Sequence, residues 1–169
     1  MPQVAFDEIP DHGRLWVFPL TRDLTEAEAS VVLDEVDRFL AQWAAHGAVL
    51  RCARELRDRR FLLVGVDDRA EAPSGCSIDA LVNRLRAIGE ELAVSMIDHA
   101  AVWYRVGDGV ESVTRPEFRA LSADGQVTRD TLVFDTSLSR ISDLRAGKLE
   151  RPAGETWHGR AFFRDAAPA

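Results

Sequence analysis

Lysine is almost missing from this chain, and cysteine, methionine and tyrosine are scarce. Of the 21 basic residues Lys148 is the sole lysine, and the 169 residues include two cysteines, two methionines and one tyrosine. With the net charge at −7 and the arginines scattered among acids, no basic stripe exists to neutralise a phosphate backbone, which excludes non-specific nucleic-acid binding. Cys52 and Cys76 lie far apart, and the sequence holds no Cys-x-x-Cys, His-Glu-x-x-His or Asp-rich loop, so no structural metal is expected. Without an export signal, and with an adequate core, the two thiols are expected to stay free.

Long apolar runs are also absent. None approaches the roughly 18–20 residues that span a bilayer, and Met1-Pro2-Gln3 does not begin a basic segment followed by an apolar one. No membrane association and a cytoplasmic location are therefore expected. No Rossmann glycine fingerprint or phosphate loop occurs: Gly147-Lys148 runs into Leu149 rather than Ser or Thr, and Ser142 stands where the loop's first glycine belongs. That excludes ATP binding through a Walker site, and no cofactor is expected.

What is present is the composition of a folded protein, 46% hydrophobic and 29% charged. The length suits one main core, alone or with a smaller appendage. Residues 1–13, with Pro2, Pro10, His12 and Gly13, read as an irregular lead-in that Phe6 and Ile9 could pin. Leu15–Phe18 is an all-apolar run closed by Pro19, the pattern of a central strand buried on both faces. Thr25 and Glu28 form a capping box, and Ala29, Val32, Val36, Phe39, Leu40 and Trp43 follow at helical spacing, with Gly47 as the stop.

Val49–Arg57 is charged enough to be an edge strand, Asp58-Arg59-Arg60 reads as a hairpin turn, and Phe61–Val66 is an apolar central strand. Ser77 can cap a second helix that carries Ile78, Leu81, Val82, Leu85, Ile88 and Leu92 on one stripe, and Ala101–Val106 reads as a strand. The order strand, helix, strand, strand, helix, strand over residues 14–106 predicts an α+β fold, a ferredoxin-like β-α-β-β-α-β sandwich. The alternative is an open α/β sheet with another strand order.

Residues 107–169 read as an α/β appendage packed on the main domain. They contain a strand at Val110–Val113, a helix capped by Thr114 and Glu117, a strand at Leu132–Phe134, a helical turn around Leu138, Ile141 and Leu144, and an irregular tail with Trp157 and Phe162-Phe163. His158 in that tail reads as a surface histidine beside an aromatic anchor. The appendage is expected to cover the sheet face that the two helices leave bare.

The candidate site is Pro73–Asp79. Cys76 precedes the expected cap Ser77, where first-turn N–H groups can favour thiolate. In a ferredoxin-like unit the first helix ends where the second begins, so Trp43 and His46 are expected near Cys76, Ser77 and Asp79, with Arg14 and Trp16 at the same end. Cys76, His46 and Asp79 could then act as nucleophile, base and orienting group. Trp43, Ser74, Gly75 and Ser77 could instead line a small-ligand site in which backbone N–H groups take an anion. A third reading is a ligand-free corner where His46 and Asp79 complement helix ends.

Gln42-Trp43-Ala44-Ala45-His46-Gly47, Ser74–Asp79 and Trp157-His158 resemble a family of small uncharacterised bacterial proteins over most of the chain. Its members are often labelled "ABC transporter ATPase". With no Walker motif here, the resemblance implies a grouping and no mechanism. Phe118–Phe134 is similar to the helix, glycine and short-strand portion of GYF-like interaction modules, without their Gly-Tyr-Phe signature. The expectation is a small-ligand or thiol protein whose partner is an unidentified small molecule or protein. The alternative is a non-catalytic interaction or oligomerisation module, and a homo-oligomer is compatible with either.

Overall fold

A computed structural model describes residues 3–163. The first two residues of the lead-in and the tail beyond residue 163 lie outside the described residues. Among the described residues the fold is mixed α+β, with antiparallel sheets and five α-helices.

The first sheet is three-stranded, in the order β1-β5-β4: β1 (Arg14–Pro19), β5 (Phe61–Val66) and β4 (Cys52–Arg57), with β5 antiparallel to both neighbours. Alternation along each strand sends side chains to opposite faces. Phe18, Cys52, Leu62, Val64 and Val66 turn to one face, where they pack under helices α1 (Glu26–Leu40) and α2 (Gly75–Leu92). Leu15, Val17, Ala53, Phe61 and Leu63 turn to the other. Every residue of β5 is buried, which is why Phe61–Val66 is apolar without alternation.

The opposite face is covered by the second half of the chain. A four-stranded sheet in the order β7-β6-β8-β9 uses β6 (Val102–Val106), β7 (Gly109–Val113), β8 (Leu132–Phe134) and β9 (Glu150–Pro152). Trp103, Val110 and Phe134 of this sheet, with Ile141 and Leu144 of the short helix α4 (Ile141–Arg145), complete the core between the layers. On the far side Phe118 of α3 (Arg115–Ala123) and Phe162 of α5 (Trp157–Phe162) close a third cluster over Val102 and Val133.

Several expectations are corrected. Residues 102–106 do not complete the sheet beside β1; β6 pairs with β7 and β8 instead, so the first sheet keeps three of the four ferredoxin-like strands. Its position beside β1 is partly filled by a loop, through an Arg14–Arg140 bridge and a bond from the Leu15 N–H to the Ser139 carbonyl at 3.0 Å.

Helix α1 begins at the expected Thr25–Glu28 capping box but ends at Leu40. Residues 44–49 form a hairpin, β2 (Ala44–Ala45) with β3 (Ala48–Val49), whose turn puts His46 at φ 52° and Gly47 at φ 79°. Gly47 thus serves a two-residue hairpin turn, which requires left-handed backbone at both positions, rather than a helix stop. The cap of α2 is Ser74, whose hydroxyl accepts from the Ser77 N–H at 3.1 Å, and Ser77 reciprocates by accepting from the Ser74 N–H. The stretch read as an irregular tail contains α5, with His158 buried inside it.

Arg60, expected in a surface turn, is buried between the sheets. It donates to the carbonyls of Leu20, Thr21 and Val110, to the Ser112 hydroxyl, and to Asp23. Asp58 and Arg59 take left-handed φ values of 54° and 50° beside it. That turn delivers the Arg60 guanidinium inward, where carbonyls of both halves of the chain can use its donors.

Candidate functional site

Of the corner expected from Trp43, His46, Cys76, Ser77 and Asp79, the contact between Trp43 and Ser77 is present. The Trp43 indole N–H donates to the Ser77 carbonyl at 2.7 Å in a buried contact, and the Trp16 ring meets Trp43 edge-on at 5.9 Å. Trp43 and Ser77 are both buried, so they act as packing partners. Gly75, Cys76, Asp79 and His46 are exposed. Among the described residues no hydrogen bond or ion pair joins Cys76, His46 and Asp79 to one another, and none of the three lines the clefts described below. Ser74 is engaged in the α2 cap. Both cysteines are free: Cys76 is exposed, while Cys52 is buried, and burial pushes its thiol up to about 12.

The largest described cleft lies elsewhere, along the outer edge of β1, with a volume of about 670 Å³. Residues Arg14–Phe18 form its floor, Thr136–Ser139 one wall, and His99, Arg115 and Trp157 contribute the rest. The wall is held by Asp135, whose buried carboxylate accepts from both the N–H and the hydroxyl of Ser137.

The edge of β1 is closed at two points. The Leu15 N–H is taken by Ser139, and the Val17 carbonyl accepts from His99 Nε2 at 2.8 Å, so that nitrogen carries the ring proton. In an antiparallel strand the N–H and C=O of one residue point to the same side. The Leu15 carbonyl and the Val17 N–H therefore face the cleft between the two closures. That gap is too short to add a strand and suits one small group.

Two guanidiniums and two indoles define the rest of the surface. Arg14 lies over the Trp16 ring at 4.7 Å, and Arg115 over the Trp157 ring at 5.1 Å. Many arginines here are engaged by acids, as in the two-point pairs Arg54–Asp37 and Arg105–Glu150. Among the described residues neither Arg14 nor Arg115 has a carboxylate partner. Stacking on indole holds a guanidinium in place while leaving its N–H edge able to donate.

The side chains in the cleft are not arranged as an activated nucleophile. The Ser137 hydroxyl donates to Asp135, and His99 is tied to a main-chain carbonyl. His158, next to the cleft's Trp157, has Nδ1 2.8 Å from the Thr156 hydroxyl, and burial pushes its imidazole down to about 4, which keeps it neutral near pH 7.

One group of side chains has metal-ligating types within reach of one another: His12, Asp67 and Asp68, with ligand atoms within 4.8 Å. Arginines already serve it. Arg51 approaches Asp67 at 3.9 Å, Arg140 approaches Asp68 at 3.1 Å, and His12 bonds Asp67 at 3.0 Å. The arrangement reads as an ion-pair network that fastens the ends of β1 and β5 to the 140 loop. No helix among the described residues is long and apolar enough to cross a membrane.

Sequence reasoning reached Arg14 and Trp16 by strand position but missed His99, Arg115, Thr136–Ser139 and Trp157 as a group. Those residues come from separate segments and share no spacing. Comparison with known proteins finds no matching family model, no similar curated protein and no similar solved structure.

Proposed function

We propose that this protein binds a small, planar, negatively charged molecule, of the aromatic carboxylate type, in the cleft along β1. The observation that carries the reading is the pair of indole-stacked arginines, Arg14 and Arg115, without carboxylate partners and lining one cleft. Guanidinium matches a carboxylate through two parallel hydrogen bonds, and Trp16, Trp157 and Leu138 supply apolar surface beside them. The Val17 N–H and Leu15 carbonyl give the bound molecule an orientation. A volume of about 670 Å³ is of the size that holds a small ligand.

Binding rather than catalysis is the function favoured, since the Ser137 hydroxyl and the His99 imidazole in the cleft are already engaged. The expected thiol or ligand site at the start of α2, with Cys76, His46 and Asp79, is supported only by their being exposed in one region. Kinship with ferredoxin-like sandwiches is supported by the β1-β5-β4 order, and the bacterial family resemblance adds no mechanism.

The test is a titration of aromatic carboxylates and their neutral amides, read by tryptophan fluorescence and thermal shift. The acids are expected to bind and the amides to bind at least about tenfold more weakly, as loss of a charge-assisted pair implies. Arg14→Gln and Arg115→Gln should each weaken the acids and leave the amides unchanged. Equal binding of acids and amides, or acid binding insensitive to both variants, overturns the proposal.

A further inference from the structure

A second cleft, of about 520 Å³, shares Trp157 with the first and differs from it in chemistry. Its walls carry Arg129, Arg151 and Arg160, with Thr156 and, among the described residues, a single carboxylate, Glu155. Arg151 comes from β9, Arg160 from α5, and Arg129 from the turn before β8, where Nη2 donates to the Phe163 carbonyl at 2.8 Å. The backbone here is closely fitted. A Cβ at Gly159 would come within 3.1 Å of Gly154, so α5 sits directly against the turn at 153–155 and carries Arg160 with it.

Arg151 has an unusual feature. Its Nε is shut off from solvent and has no hydrogen-bond partner. An atom enclosed in this way does not meet a ligand in the cleft, but among the described residues the Arg151 side chain makes no hydrogen bond or ion pair, which leaves its Nη edge to the cleft it lines. Among the described residues, no ion pair joins Glu155 to Arg151 or Arg160. Two guanidinium forks therefore line one polar cleft, and among the described residues neither is paired with a carboxylate.

We infer that this cleft is an oxyanion site that takes a phosphate group, either free phosphate or a phosphate monoester of a small molecule. A carboxylate fills one fork, whereas the terminal oxygens of a phosphate accept from two forks at once. In a chain of net charge −7 such a site is a local reversal of sign, which selects a compact anion and not an extended polyanion. The site stands independently of the cleft along β1. A phosphate here would lie beside the Trp157 ring that lines both clefts.

The experiment is calorimetric titration of the full chain with inorganic phosphate and with glycerol 3-phosphate, repeated on Arg151→Gln, Arg160→Gln and, as a control exposed outside both clefts, Arg69→Gln. Saturable phosphate binding is expected, weakened at least about tenfold in Arg151→Gln and in Arg160→Gln and unchanged in Arg69→Gln. Arg160 is exposed on α5, so Arg160→Gln decides the matter if Arg151→Gln fails to fold. Tighter binding of glycerol 3-phosphate assigns a monoester, and equal binding assigns the free ion. Absence of saturable phosphate binding, or binding unaltered in Arg160→Gln, overturns the inference. Phosphate binding in a protein that ignores aromatic carboxylates would leave this site standing and remove the cleft along β1.

Discussion

At the scale of single residues, two cysteines and one histidine show how burial sets chemistry. Cys52 is fully buried under α1 with its thiol pushed up to about 12, while Cys76 is exposed at the first turn of α2. A thiol reagent at pH 8 is therefore expected to modify one residue, Cys76, in the folded protein and the second only after denaturation. Two rapid modifications in the native state would contradict that burial. His158 is 1% exposed and is held neutral down to about pH 4, against about 6.5 when unfolded. Because the unfolded chain takes up the proton first, stability is lost as pH falls from about 6.5 to 4, by about 3 kcal/mol over the whole window. Urea denaturation at pH 7 and pH 4.5 checks this, and His158→Gln should flatten the dependence whatever it does to the value at pH 7.

At the scale of elements, the capping boxes of α1, α2 and α3 are local devices, and the end of α2 is where local preference is overridden. Ala93 closes that helix at φ 53°, ψ 45°, a left-handed conformation that costs an L-residue about 1 kcal/mol. Four residues earlier Gly89 is required for another reason, since a Cβ there would meet the Val94 carbonyl oxygen at 2.3 Å. Ala93→Gly is expected to stabilise the protein by about 0.5–1 kcal/mol. Gly89→Ala should destabilise it by about 2 kcal/mol, because the obstacle is backbone. Thermal denaturation of both variants decides whether helix end and packing have been assigned correctly, and a stabilised Gly89→Ala would refute the assignment.

At the scale of the whole molecule, Arg60 joins the two halves. Its guanidinium satisfies carbonyls at Leu20 and Thr21 on one side and Val110 with Ser112 on the other. Trp103 reinforces the same point by donating to the Leu20 carbonyl at 3.0 Å. Arg60→Met should therefore cost at least about 3 kcal/mol, since several buried acceptors lose their donors together. Arg60→Lys should recover only part of it, because an ammonium lacks the planar fork. Urea midpoints for the two variants test this, and an unaffected Arg60→Met would mean that the sheets hold together through apolar contact alone.

By itself the sequence determined those features whose causes are local. Capping residues started α1 and α3, apolar runs marked β1 and β5 as strands, of which β5 is central and β1, expected to be central, stands at the sheet edge, and the order of elements was enough to bring Trp43 to Ser77. Tertiary structure alone decided which sheet received Val102–Val106, because strand pairing depends on a competition between edges that no window of sequence contains. It also decided where Trp43 and His46 sit, since the hairpin at 44–49 ends α1 seven residues before Gly47. The cleft along β1 exists for the same reason: with β6 withdrawn to a second sheet, the edge of β1 is left to His99 and Ser139, and the gap between them collects arginines and tryptophans from distant parts of the chain.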